Sequence, residues 1–360
     1  MKRFFILLAA LCIFINIPIY ADDFAAENEQ YIHIDGEELY NDTAESIVSG
    51  KFSLDPIELI QRGIDSLLSE LRESRTEMVN ILVIALLSGV LQVLKSSGKD
   101  DSVSESALFA CFVMITIAAL KIFSSAAGYG VEVIHSVSDF ITKLSPVLTV
   151  LLASGGSVTS AAAFHPILSG SVYVMTLLID KCVVPLIYLS AVLGIAGHVT
   201  PQLKLSAFTR LLRSAGKWLL TAALTVFTGV TALYGLSAPS FDAVALKTMK
   251  FAVGSFVPVV GGILSETVET VLSGTQLMKN AVGVAGIVSL AAVTIVPVLK
   301  IFAVLLMLEL CAAAAEPVTD KRICDMLKDV AASISLILGM VITISVLFII
   351  CIGIILGATN

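Results

Sequence analysis

Carboxylates, a histidine and paired glycines inside apolar stretches are the residues of this chain whose types and positions suggest chemistry. Glu309 stands between Leu308 and Leu310, and Lys300 precedes it on roughly the same helical face. Glu266 and Glu269 are three apart, so they share one face of a helix. They follow Gly261-Gly262, and His165-Pro166 follows Gly155-Gly156 in a similar way. Ionisable groups in apolar segments are costly to bury in a bilayer and mark ion paths, proton relays or polar cavities. One reading is therefore a polar cavity lined by His165, Glu266, Glu269 and Glu309, with Glu309 facing the bundle interior. The plainer reading is hydrogen bonding between helices, or loop residues at the membrane interface. Lys121, Lys143 and Lys279 lie near span ends, where a long side chain can snorkel to water.

Signals for catalysis and metal binding are absent from the sequence. There is no Gly-rich phosphate loop and no His-Glu-x-x-His. Cys12, Cys111, Cys182, Cys311, Cys324 and Cys351 are scattered, with no pair at metal-ligand spacing. They read as small apolar residues. The expectation is a protein that is not an enzyme, holds no cofactor and offers no nucleic-acid site. Energy for any transport would come from an ion gradient or a partner.

The elements that must position these groups are membrane helices. Of 360 residues, 57% are hydrophobic and 14% charged, against roughly 25% charged in a soluble domain. Six apolar runs are long enough to cross a bilayer core of about 30 Å: 79–94, 107–127, 183–199, 219–236, 296–315 and 330–356. Between them, 137–180 and 251–295 carry Pro, Gly-Gly and hydroxyl residues. Backbone freed by Pro and Gly cannot face lipid. These two regions read as broken or re-entrant helices, or as spans packed closely on small residues. The fold class is an all-α polytopic membrane protein.

An internal repeat is suggested by prolines 112 residues apart: Pro146 with Pro258, and Pro185 with Pro297. The repeats would cover 107–199 and 219–315. Matching interruptions in two halves are a common way to build transporters.

The N-terminus reads as a signal peptide over 1–21, with Lys2 and Arg3 before the apolar run 4–19 and Ala21 at the end; an uncleaved anchor is the alternative. Residues 22–77 hold 15 acidic and 4 basic residues, a net of −11, and read as exported. Asp55-Pro56 opens an amphipathic helix there, with Ile57, Ile60, Ile64, Leu68 and Leu71 on one face. That helix either docks a partner or lies on the bilayer or the chain's own spans. An exported N-terminus makes the loops near Lys95 and Lys99, at 200–217 and at 316–329 cytoplasmic, and all three are basic. In 200–217, Phe208, Leu211 and Trp218 alternate with Lys204, Arg210, Arg213 and Lys217, which suggests a short cationic helix at the lipid interface. It serves as an anchor or contacts a cytoplasmic partner.

Leu152-Ala153-Ser154-Gly155-Gly156 followed by Ala161-Ala162-Ala163-Phe164-His165-Pro166 resembles a signature of the stage III sporulation protein AE family. So do Pro258-Val259-Val260-Gly261-Gly262 and Lys279-Asn280-Ala281-Val282-Gly283-Val284. The layout of signal, exported segment and polytopic body is similar as well. The resemblance implies an endospore former. It implies a multi-pass protein of the mother-cell membrane around the forespore, within a channel or secretion-like complex linking the two cells. The implied partners are other proteins of the stage III operon, including a cytoplasmic ATPase, and a forespore-side protein, stage II sporulation protein Q. No catalytic residues come with it. From another class, the alternative is a stand-alone secondary transporter of a small solute; an assembly scaffold is a third reading.

Overall fold

The computed structural model describes residues 75–97, 101–154, 157–199, 205–256 and 261–357. The signal peptide, the helix expected after Asp55, and Gly155 and Gly156 lie outside the described residues. Those described are helical, with no strand among them: α1 Arg75–Ser97, α2 Asp101–Ser154, α3 Val158–Leu178, a π-helical turn Ile179–Val183, α4 Val184–Val199, α5 Ser206–Phe256, α6 Gly261–Ala315 and α7 Lys321–Gly357. Five stretches are long and apolar enough to cross a membrane: Glu105–Ser154, Ser160–Val199, Ser206–Leu233, Gly274–Ala315 and Lys321–Ile354. Met78–Val93 forms a shorter apolar helix beside them.

Helix length is where the structure departs from the sequence expectation. Helices α2, α5 and α6 have 54, 51 and 55 residues, about 80 Å each at 1.5 Å per residue. Helix occupies the described residues of 137–180 and 251–295 apart from Ser157, with helix ends at Ser154 and Phe256 inside them. Residues 137–154 continue α2, and 158–178 run through the π turn into α4. Residues 261–295 continue straight into the span that ends at Ala315. Helices end at Ser154 and Phe256 and begin again at Val158 and Gly261. Two hairpins result, 101–199 and 206–315, followed by α7.

Proline does not break these helices. Pro146, Pro166 and Pro297 all lie inside them, as neighbouring groups in membrane helices allow. Hydroxyls bond backward beside two of these prolines: Thr142 Oγ1 donates to Ser138 O and Thr149 Oγ1 to Ser145 O, each at 2.8 Å, and Thr294 Oγ1 donates to Leu290 O at 2.7 Å. Pro185 has no N–H for the carbonyl of Lys181, and its ring crowds that carbonyl; the wider π turn just before it relieves both. Pro185 and Pro297, the matched pair of the expected repeat, thus have unlike surroundings, one beside a π turn and one within an unbroken helix.

The core runs along α2, α3, α4, α6 and α7, with Ile134, Ile141, Leu148, Ile179, Ile187, Leu290, Leu308, Ile337 and Phe348 buried in one cluster. Glycine permits the closest approaches. A Cβ on Gly130 would collide with Ile337 Cγ2, and one on Gly89 with the Val318 carbonyl. These contacts bring α2 onto α7 and α1 onto the α6–α7 loop.

Candidate functional site: a mid-depth polar belt and a charged clasp

The basic loops meet at one end of the bundle. Asp329 on α7 accepts from Arg213 Nη1 on α5 at Oδ1 (2.8 Å) and pairs with His198 Nε2 on α4 at Oδ2 (2.8 Å). Arg213 Nη2 also donates to the Asp329 carbonyl at 2.7 Å. Gly194 leaves room for this clasp, for a Cβ there would meet Arg213 Nη2 and Asp329 Cβ at 3.4 and 3.5 Å. Nearby, Lys328 Nζ donates to Glu316 Oε2 at 2.9 Å. With Gly89 seated on Val318, the ends of α1, α4 and α6 and the starts of α5 and α7 share one side. The Lys328 ammonium holds the exposed Glu316 carboxyl below its usual range, through the hydrogen bond and then through charge. Residues 206–217 are not a separate interfacial helix; they form the first turns of α5, with Phe208, Arg210, Leu211, Lys217 and Trp218 exposed.

A second set of polar groups runs along the hairpin of α2 with α3 and the π turn. Ser145 Oγ lies 3.0 Å from His165 Nδ1, Ser138 Oγ lies 3.1 Å from Thr176 Oγ1, and His135 Nε2 lies 3.5 Å from Asp180 Oδ1. The last pair opens to the outside, with side chains 47% and 32% exposed. Glu132 lies one turn from His135 and is exposed, as are Lys181 and Cys182 beside Asp180. On the neighbouring flank of α2, Lys300 Nζ sits 5.6 Å from the centre of the Tyr129 ring, within cation–π range.

The depth of this belt is set by Gly130, which packs against Ile337 and Ile301. Ile337 is midway along Lys321–Ile354, the most apolar of the membrane-length helices. Glu132 and His135 lie within two turns of Gly130 on α2, with Asp180 facing His135 and Lys181 beside it, so these groups sit on one flank near that level. Exposed charges at that level cannot rest against lipid. They need protein or water.

Of the four residues expected to line a cavity, the described side chains of His165 and Glu309 lie on different elements. His165 joins the hairpin seam. Glu309 is exposed, about 9 Å along α6 from its end at Ala315. It is neither deep nor inward, because its helical phase is opposite to that of buried Met307, Leu308, Cys311 and Ala312. Glu266 and Glu269 lie in the first turns of α6, headed by Gly261 and Gly262, and their side chains are outside the described residues. Lys279 does not snorkel: it is 3% exposed, and its Nζ has no hydrogen-bond partner among the described residues. Among the described residues no group of three His, Cys, Asp or Glu converges to hold a metal.

The sequence reading passed over the belt. Glu132, His135 and Asp180 fall outside the apolar runs 107–127 and 183–199 and were not singled out. The signal that could have found them is the phase of α2, on which Lys121, Glu132, His135, Asp139 and Thr142 fall on one stripe.

Comparison with known proteins accounts for this architecture by family. Residues 40–359 match the family described as Stage III sporulation protein AE. The chain belongs to that family. A relative named Stage III sporulation protein AE, from Bacillus subtilis (strain 168), is 31% identical over 313 residues, covering 87% of this chain and 78% of the relative. No solved structure matches. Membership supports a role in sporulation for this membrane protein. The stand-alone transporter finds no support in it.

Proposed function

We propose that the chain is a non-catalytic membrane subunit of a channel or secretion-like complex that links mother cell and forespore during endospore formation. Family membership supports the setting. The observation that carries the conduit reading is the belt of Glu132, His135, Asp180 and Lys181, ionisable groups that open to the outside in the single chain. A lone transporter would keep such groups inside its own bundle; a subunit exposes them to the rest of an assembly. The basic loops face the mother-cell cytoplasm, where an ATPase of the stage III system supplies energy. The acidic segment 22–77, exported behind a signal peptide at 1–21, faces a forespore-side partner.

The test replaces Glu132, His135 and Asp180 together by Leu in the native host and counts heat-resistant spores at matched protein level. We expect spore formation to be lost. Normal spore counts with normal abundance would remove the belt from function.

A further inference from the structure

We propose that the belt is covered by a second copy of this chain, with Glu132 of each copy paired to Lys181 of the other across a two-fold axis parallel to the membrane normal. The proposal rests on the assembly-subunit reading and names the partner of the same site. Glu132 on α2 and Lys181 in the π turn are both exposed, and among the described residues neither forms an ion pair or a hydrogen bond. Both are ionisable and uncovered near the level at which Gly130 packs on Ile337, and a lipid contact there would leave them without solvation.

The geometry favours self-pairing. Two copies inserted the same way round can be related only by an axis along the membrane normal, and that rotation preserves depth. His135 against Asp180 fixes the register of the hairpin. From His135, Glu132 is about 4.5 Å toward the basic end; from Asp180, Lys181 is about 1.5 Å in the same direction, because the two strands of the hairpin are antiparallel. Their depths thus differ by about 3 Å, within reach of a lysine. With the axis in front of the α2/α3 seam, α2 of one copy stands opposite the π turn of the other. The acid then meets the base, twice. The wide turn at 179–183 also places Lys181 on the side of the helix opposite buried Ile179 and Val183, so it projects toward such a partner.

The experiment uses the full-length protein in membranes, with Cys182 replaced by Ser because it is the exposed cysteine among those described; Cys111, Cys311, Cys324 and Cys351 are buried. Glu132→Cys in one tagged copy and Lys181→Cys in a differently tagged copy are co-expressed and mildly oxidised. A disulfide-linked product carrying both tags is expected, and it should fall sharply when Glu132→Cys is exchanged for Ile117→Cys on the apolar part of the same helix. Without oxidation, Glu132→Lys or Lys181→Glu alone should reduce co-purification of the two tags, and both changes in one chain should restore it. Absence of the mixed product at normal protein levels overturns the proposal. If Glu132→Lys then still blocks sporulation, the belt is covered by a different protein and the assembly reading stands. If spores form normally, both readings fall.

Discussion

At the residue scale, side chains with the same formal charge differ by what surrounds them. Asp329 is held by Arg213 and His198 from two other helices, and the Arg213 side chain is only 13% exposed. Glu309 has an equally conspicuous place in the sequence but sits on the outer face. Asp329→Asn keeps the shape while removing the charge that both partners use, so Arg213 is left with weaker acceptors in a partly dry site. The expected cost is about 1 to 3 kcal/mol of stability, read as a lower melting temperature of the detergent-purified chain. Arg213→Lys should act in the same direction, because an ammonium cannot make the two-pronged contact with the side-chain and main-chain oxygens of Asp329. Equal melting of both variants and the parent would show that the clasp is incidental. Glu309→Leu, by contrast, is expected to leave melting and abundance unchanged. The sequence made Glu309 prominent because two leucines flank it, but flanking residues point to other faces of a helix. Burial follows phase, and phase needs the contact list of the whole helix.

At the scale of elements, small residues govern how closely the helices lie. Gly89→Ala would drive a methyl group into the backbone carbonyl of Val318, which cannot move aside as a side-chain tip could. Gly128→Ala meets nothing within 4 Å. We expect the first to lower melting temperature or abundance and the second to be neutral or slightly stabilising, since Ala favours helix over Gly by about 1 kcal/mol. Equal effects, measured side by side in membranes, would mean that the α1 contact with the α6–α7 loop is not formed. Much of the element plan was legible. The apolar runs 107–127, 183–199, 296–315 and 330–356 are all parts of observed helices, because a bilayer-length apolar run has little alternative to a helix. What was not legible is that those helices run on past single prolines. Pro and Gly-Gly read as breaks at 137–180 and 251–295, by rules drawn from isolated helices. Hydroxyl back-bonds accompany the passage of α2 through Pro146 and of α6 through Pro297. The described helices stop beside the sequences expected to interrupt them, at Ser154 before Gly155-Gly156 and at Phe256 before Pro258 to Gly262.

At the scale of the whole molecule, charge and topology converge. The sequence assigned the basic loops to one side from charge counts alone. The fold brings their helix ends together through Asp329 with Arg213 and His198, and through Glu316 with Lys328. The grouping follows from an antiparallel order in which every long helix turns back. Charge asymmetry then sets the direction of insertion, with the Lys- and Arg-rich end in the cytoplasm. Single cysteines at Arg210 and Arg322, both exposed at the basic end, test this together with one at Ser154, at the opposite end of α2. The parent for labelling carries Ser at Cys182. In right-side-out membrane vesicles, a thiol reagent that cannot cross lipid should modify the Ser154→Cys protein and leave the Arg210→Cys and Arg322→Cys proteins unmodified until the vesicles are opened. Labelling of Arg210→Cys and Arg322→Cys with protection of Ser154→Cys would invert the molecule in the membrane, yet the bundle would stand. Labelling of Arg210→Cys with protection of Arg322→Cys would place the two basic ends on opposite sides, and no arrangement of α5 and α7 joined by the Arg213–Asp329 pair could accommodate that.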